Sequence, residues 1–250
     1  MPDAGVGAVT YMLEILTGLV GSRRRWRTMP WMVLLFGIMI VPLGTVSIFF
    51  IIIQPIVIGT WCTLCLIGAA AMVVQIPYSL DELVATCQFL AQRRRKGQAL
   101  WPVLLHGDTA AGGRAEAPAD FEQPARALNR EIWGGGVNVP WTLLASIGIG
   151  IWLMCTRLTF GTGGEMANVD HLIGALVIAV SVTALAEIAR SVRYLNAAFG
   201  VTLTVVPWIV EGGSLVADLA GATAGLLLIA LSLPRGKIRH SDGSWDRFIS

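Results

Sequence analysis

Residues 29–53 read MPWMVLLFGIMIVPLGTVSIFFIII, and no charged side chain interrupts them. A helix rising ~1.5 Å per residue over such a run is long enough for a hydrocarbon core ~30 Å thick. The rest of the chain has the same character. It is 250 residues long, 55% hydrophobic and only 14% charged, with a mean hydropathy of +0.69. That charge fraction lies well below the roughly one quarter usual in soluble domains. The apolar runs are continuous, whereas a transmembrane barrel needs alternating strands of about ten residues. The expected fold is an all-α polytopic integral membrane protein. Its crossings are predicted at 4–21, 29–53, 56–76, 141–160, 171–188, 195–210 and 215–233, about seven helices. Pro42 is expected to kink the second, and QPIVIGT (54–60) to turn tightly outside the membrane.

Between the third and fourth runs lies SLDELVATCQFLAQRRRK (79–96). Ser79 and Glu82 have capping-box spacing, and Leu80, Leu83, Val84, Cys87 and Ala91 recur on one helical face. This predicts a separate interfacial helix over 79–92, with those residues, Cys87 included, on its buried face. The chain then divides into a membrane unit over 1–92, a mobile cytoplasmic linker over 93–138, a four-helix module over 139–234 and a tail over 235–250. With RRRWR (23–27) placed inside, every one of the 18 Lys and Arg residues except Arg157 falls on the inner side. By the positive-inside rule the N-terminus is outside and the C-terminus cytoplasmic. Cys62 and Cys65 then sit near the outer face, where disulfides persist.

The net charge of +2 provides no basic field for nucleic acid, and neither a Walker loop nor a dinucleotide fingerprint occurs. Four cysteines and three histidines lack zinc-site spacing, so no metal is expected. Without Lys or Arg in the first 22 residues, a signal peptide is not expected either. The expected surroundings are a lipid bilayer.

The last four runs repeat with a period of about fifty residues. GIWL (150–153) aligns with GVTL (200–203), and HLIGAL (171–176) with LAGAT (219–223). Val206-Pro207-Trp208 stands where the first copy has Thr156-Arg157-Leu158. This half resembles the SPW-repeat family of small bacterial membrane modules, which implies no defined activity. Gly221 and Gly225 form a GxxxG-type packing face.

WCTLC (61–65) opens the third run. Residues three apart share a helix face, so Cys62 and Cys65 can meet. A helix start supplies unpaired N–H groups that lower a thiol's pKa, and Thr60 is a possible cap. A redox pair needs one thiolate to attack and a second to resolve. The plainer alternative is two small apolar residues in a membrane helix.

Residues 42–83, with Ser47, the short turn and the WCxxC, resemble the vitamin K epoxide reductase family, and 2–21 is similar to that family's second helix. The resemblance covers about residues 3–90. It implies a membrane thiol–disulfide oxidoreductase that couples Cys62 and Cys65 to a membrane quinone, ubiquinone or menaquinone, in a bacterial inner membrane. Cys62 would exchange with a thioredoxin-like thiol protein on the outer face, and Cys65 would meet the quinone. Ser47, Trp61 and Ala69 would contact it. Ala69 stands where some members carry Tyr, and the first catalytic helix and the relay cysteines have no counterpart. The chain is then a remnant, a protein read from too late a start, or half of an enzyme whose second chain supplies the missing helix. The competing class is a non-catalytic structural or assembly subunit with a relic CxxC.

Other polar residues have bland and functional readings alike. Glu14 is either a functional buried acid or a group reaching water or a partner helix. Asp170 is expected to cap the span that starts at His171, with His171 interfacial; a proton relay is the alternative. Cys155 reads as a packed apolar side chain, or as a substitute relay cysteine.

Overall fold

The computed structural model describes residues 3–20, 25–108, 139–210 and 214–234. The tail and residues 109–138 of the expected linker lie outside them. Among the described residues the chain is helical and contains no strand. The first half consists of α1 (Asp3–Leu19), the single turn α2 (Arg25–Thr28), α3 (Pro30–Ile53), α4 (Thr63–Arg95) and α5 (Leu100–His106). The second half consists of α6 (Trp141–Met154), the short α7 (Thr156–Thr159), α8 (Gly164–Thr183), a 3-10 segment (Glu187–Tyr194), α9 (Leu195–Val205), a 3-10 turn (Val206–Trp208) and α10 (Leu215–Ser232).

Four stretches are long and apolar enough to cross a membrane: Pro30–Ile58, Thr63–Arg95, Gly164–Thr183 and Leu215–Ser232. The other expected crossings are the shorter α1, α6 and α9, of 17, 14 and 11 residues. The surface is inverted relative to a soluble protein. Leu64 is 81% exposed and Leu158 87%, while Ser146, Ser181 and Asn196 are buried. Lipid makes that arrangement favourable: it solvates alkyl groups, and polar groups must find partners inside the bundle.

Two sequence expectations change in the first half. α3 runs through Pro42 and, instead of turning sharply, continues as a π-helical segment over Gln54–Ile58, closed by Gly59 at φ 72°. Residues 79–92 are the continuation of α4 through Pro77, so Ser79 and Glu82 begin no helix. The expected face is not the most buried one, which also carries Ala85 and Phe89. Cys87 and Ala91 are exposed and Leu80, Leu83 and Val84 half-buried, whereas Ser79, Asp81, Thr86, Gln88 and Arg93 are buried. Periodicity alone reports that a helix has two faces; the solvent decides which of them turns inward.

Residues 93–108, expected as linker, are ordered by packing. Arg93 pairs with Asp108 at 3.3 Å, and the Asp108 N–H donates to the Arg27 carbonyl at 3.1 Å. Gly107, at φ 70°, lies so close that a Cβ would come 2.3 Å from the Thr28 carbonyl oxygen. Nearby, Arg25 grips Glu82 in a bidentate pair at 2.5 and 2.6 Å, and Trp26 meets Phe89 edge-on.

The second half is duplicated in its packing. α6 crosses α8 at Gly150 and Gly174, where a Cβ on either would come within 2.8 Å of the other's carbonyl oxygen. α9 crosses α10 at Gly200 and Gly225 with the corresponding approach at 2.5 Å. Leu153 and Leu203, equivalent in the repeat, are both fully buried in one cluster with Val177 and Leu228. The register therefore pairs Gly174 with Gly225. The sequence alignment pairs it with Gly221, which instead lies beside Pro207. α3 and α4 pack on α8, joining the halves.

Candidate active site

The site is built where α3 gives way to α4. Gly59 in the left-handed region reverses the chain, a conformation that costs glycine little. Buried Gln54, in the π-helical segment, then accepts the backbone N–H of Cys62 through its side-chain oxygen at 3.0 Å. That bond ties the end of one helix to the start of the next.

Cys62, rather than Thr60, is the N-cap of α4. Its sulfur accepts the backbone N–H of Cys65 at 3.4 Å, occupying one of the unpaired donors of a helix start. Both cysteines are free thiols and exposed. The Cys65 thiol, followed by the backbone N–H of Cys65 and of Leu64, donates to the Cys62 sulfur and holds its pKa below the ordinary thiol value. A stabilised thiolate on the first cysteine and a neighbouring thiol on the second is the arrangement that disulfide exchange requires.

Trp61 meets His171 of α8 edge-on, with ring centroids 5.3 Å apart. His171 is buried, and its Nε2–H donates to the Ile51 carbonyl at 3.0 Å, a contact across 120 residues. It therefore fastens the second half to the first and is not the interfacial residue expected. Asp170 caps nothing, because α8 begins at Gly164; it is buried beside Thr156 and Asp218. Glu14 is buried against Gln75 of α4.

A cavity of about 710 Å³ lies between the halves, and neither Cys62 nor Cys65 lines it. Trp61 and Leu66 line it, and so does Cys155. Ser47 and Ala69 are buried elsewhere along α3 and α4 and do not line it. Sequence reasoning gives Gln54 no role at the site and His171 only an interfacial place or a proton relay. Gln54 looked like part of a turn, and nothing local to His171 signals Ile51. Among the described residues no group of His, Cys, Asp and Glu could hold a metal.

Fold and site together define a helical membrane protein carrying an exposed, helix-capping CxxC dithiol. The model of the vitamin K epoxide reductase family matches residues 1–80. The match holds α1, α3, the Gln54–Gly59 segment and the first half of α4, hence both cysteines, and ends before the duplicated half. It relates this part of the chain to a family of membrane thiol–disulfide oxidoreductases whose members use quinone. No curated protein and no solved structure matches the chain significantly.

Proposed function

We propose that the chain is a membrane thiol–disulfide oxidoreductase that moves electrons from protein thiols on the outer face, through Cys62 and Cys65, to ubiquinone or menaquinone. The observation that carries this is the cap itself: an exposed Cys62 sulfur that accepts the Cys65 N–H at 3.4 Å.

In the oxidised enzyme a partner thiolate attacks the Cys62 sulfur. The Cys62–Cys65 bond breaks, a mixed disulfide forms, and Cys65 leaves and takes up a proton. The partner's second thiolate attacks the mixed disulfide and departs oxidised, releasing Cys62. The hydrogen bonds that stabilise the Cys62 thiolate also make it the better leaving group in this step. A bound quinone supplies the terminal acceptor for two electrons and two protons, which restores the disulfide. Gln54 and Gly59 keep the pair at the helix start throughout.

This reading places the chain in a bacterial inner membrane, and the charge pattern supports an N-terminus outside and a C-terminus in the cytoplasm. A thioredoxin-like protein is the thiol partner this reading requires. A second chain supplying the family's remaining helix and relay cysteines fits it as well. The duplicated glycine crossings support a duplicated helix-hairpin module, which we read as SPW-like.

The test is alkylation of Cys62 and Cys65 in isolated membranes, read by mass, before and after quinone is added to the reduced protein. Reoxidation that Cys65→Ser abolishes is the expected result. Thiols that stay reduced would assign the chain to the non-catalytic subunits.

A further inference from the structure

We propose that the cavity between the halves is the quinone-binding site, so that the duplicated module, which lies outside the family match, supplies half of the pocket. The proposal rests on the oxidoreductase reading above. The volume, about 710 Å³, lies in the range of small-molecule pockets. Its wall on α8 extends from Ala167 to Val182, which at helical rise is about 22 Å. A space of that length suits a ring carrying an isoprenoid chain better than a ring alone.

The polar lining is gathered at one end. Arg157, Asn168, His171 and Trp61 converge there, while Ile51, Ile151, Val73 and Ile178 make the remaining wall apolar. Arg157 Nη2 donates to Asn168 Oδ1 at 2.7 Å, which uses one of the five guanidinium N–H donors. Quinone carbonyls accept hydrogen bonds and donate none, so a cationic fork and an indole at the head suit them. Arg157 is also the basic residue that the charge-based topology leaves on the outer side, where no anchoring role accounts for it.

Trp61 and Leu66, the chain neighbours of Cys62 and Cys65, line the cavity, while the two cysteines do not. Leu66, Ala70, Val73 and Val74 form one stripe of α4 facing the cavity. Cys62, the extended N-cap, precedes that stripe, with its sulfur turned to the Cys65 N–H. Ser47 and Ala69 do not share that wall.

The full chain in lipid nanodiscs is photolabelled with an azidoquinone bearing a short isoprenoid tail, and the labelled peptides are mapped. Label is expected on residues 147–182 and at Trp61. Ile151→Trp fills the cavity from its lipid side and is expected to cut that label and raise the quinone KM by about tenfold, leaving disulfide exchange with thiols unchanged. Arg157→Gln is expected to raise KM with the label distribution kept. Label confined to α1, α3 and α4 away from the cavity, with quinone still reoxidising the thiols, would overturn the site and leave the function standing. Displacement of the label by excess phospholipid as readily as by unlabelled quinone would also overturn it and make the cavity a lipid site. Saturable cavity label without thiol reoxidation would sustain the site and sink the proposed function.

Discussion

The side-chain oxygen of Gln54 holds the backbone N–H of Cys62 at 3.0 Å, so a residue ending one membrane helix positions the cysteine that caps the next. Gln54 is 5% exposed, and its amide cannot exchange this partner for bulk water. Gln54→Leu should cost about 1 kcal/mol of stability. It should also speed amide hydrogen exchange at residues 59–62 and change the alkylation rate of Cys62. Unchanged exchange would remove the anchoring role.

Cys62 should react with iodoacetamide at lower pH than an unfolded cysteine. The folded site favours the thiolate, so the reactive fraction falls only as pH drops through a pKa below the ordinary thiol value. The Cys65 thiol is the largest cause, so Cys65→Ala should move the midpoint back upward. The pH dependence of alkylation, followed by mass, measures both.

The glycine crossings predict a matched pair of effects. Gly150→Ala and Gly200→Ala each drive a Cβ to within 2.8 Å of a facing carbonyl oxygen. Each should cost about 1–3 kcal/mol. Gly148→Ala meets nothing within 4 Å and should gain up to about 1 kcal/mol. Unfolding titrations in mixed micelles compare the three variants. Equal loss at all three would remove the crossing argument.

Glu82→Gln keeps the shape of the Arg25 partner and removes its charge. The pair is bidentate and only partly exposed. A loss of about 2 kcal/mol is expected. Exchange with thiols at Cys62 should be unaltered, because Glu82 lies about 30 Å along α4 from Cys62. The same titrations and a thiol-exchange assay check both halves of the prediction.

Much of the protein is written in local pattern. The uncharged run over 29–53, the Cys62–Cys65 spacing and the fifty-residue repeat are each visible without coordinates, because length, spacing and period are properties of the chain itself. Periodicity also gave α4 two faces but put Cys87 and Ala91 on the wrong one. Cys87 turned outward and Thr86 inward, because in lipid an apolar stripe has no need to be buried. The separate helix expected at Ser79 failed for a related reason: a capping-box pattern marks a start only where the preceding residues are not already helical, and here they are.

By itself the sequence determined that the chain is a helical membrane protein with a CxxC at a helix start and a duplicated second half. The tertiary structure decided what those parts are joined to. It brought His171 to Ile51 across 120 residues, set Gly225 rather than Gly221 against Gly200, and formed a partly open cavity with walls from both halves. Such contacts depend on which helix faces close on one another, and that choice is made by backbone approach at small residues and by the pairing of buried polar groups, neither of which leaves a periodic trace in the chain.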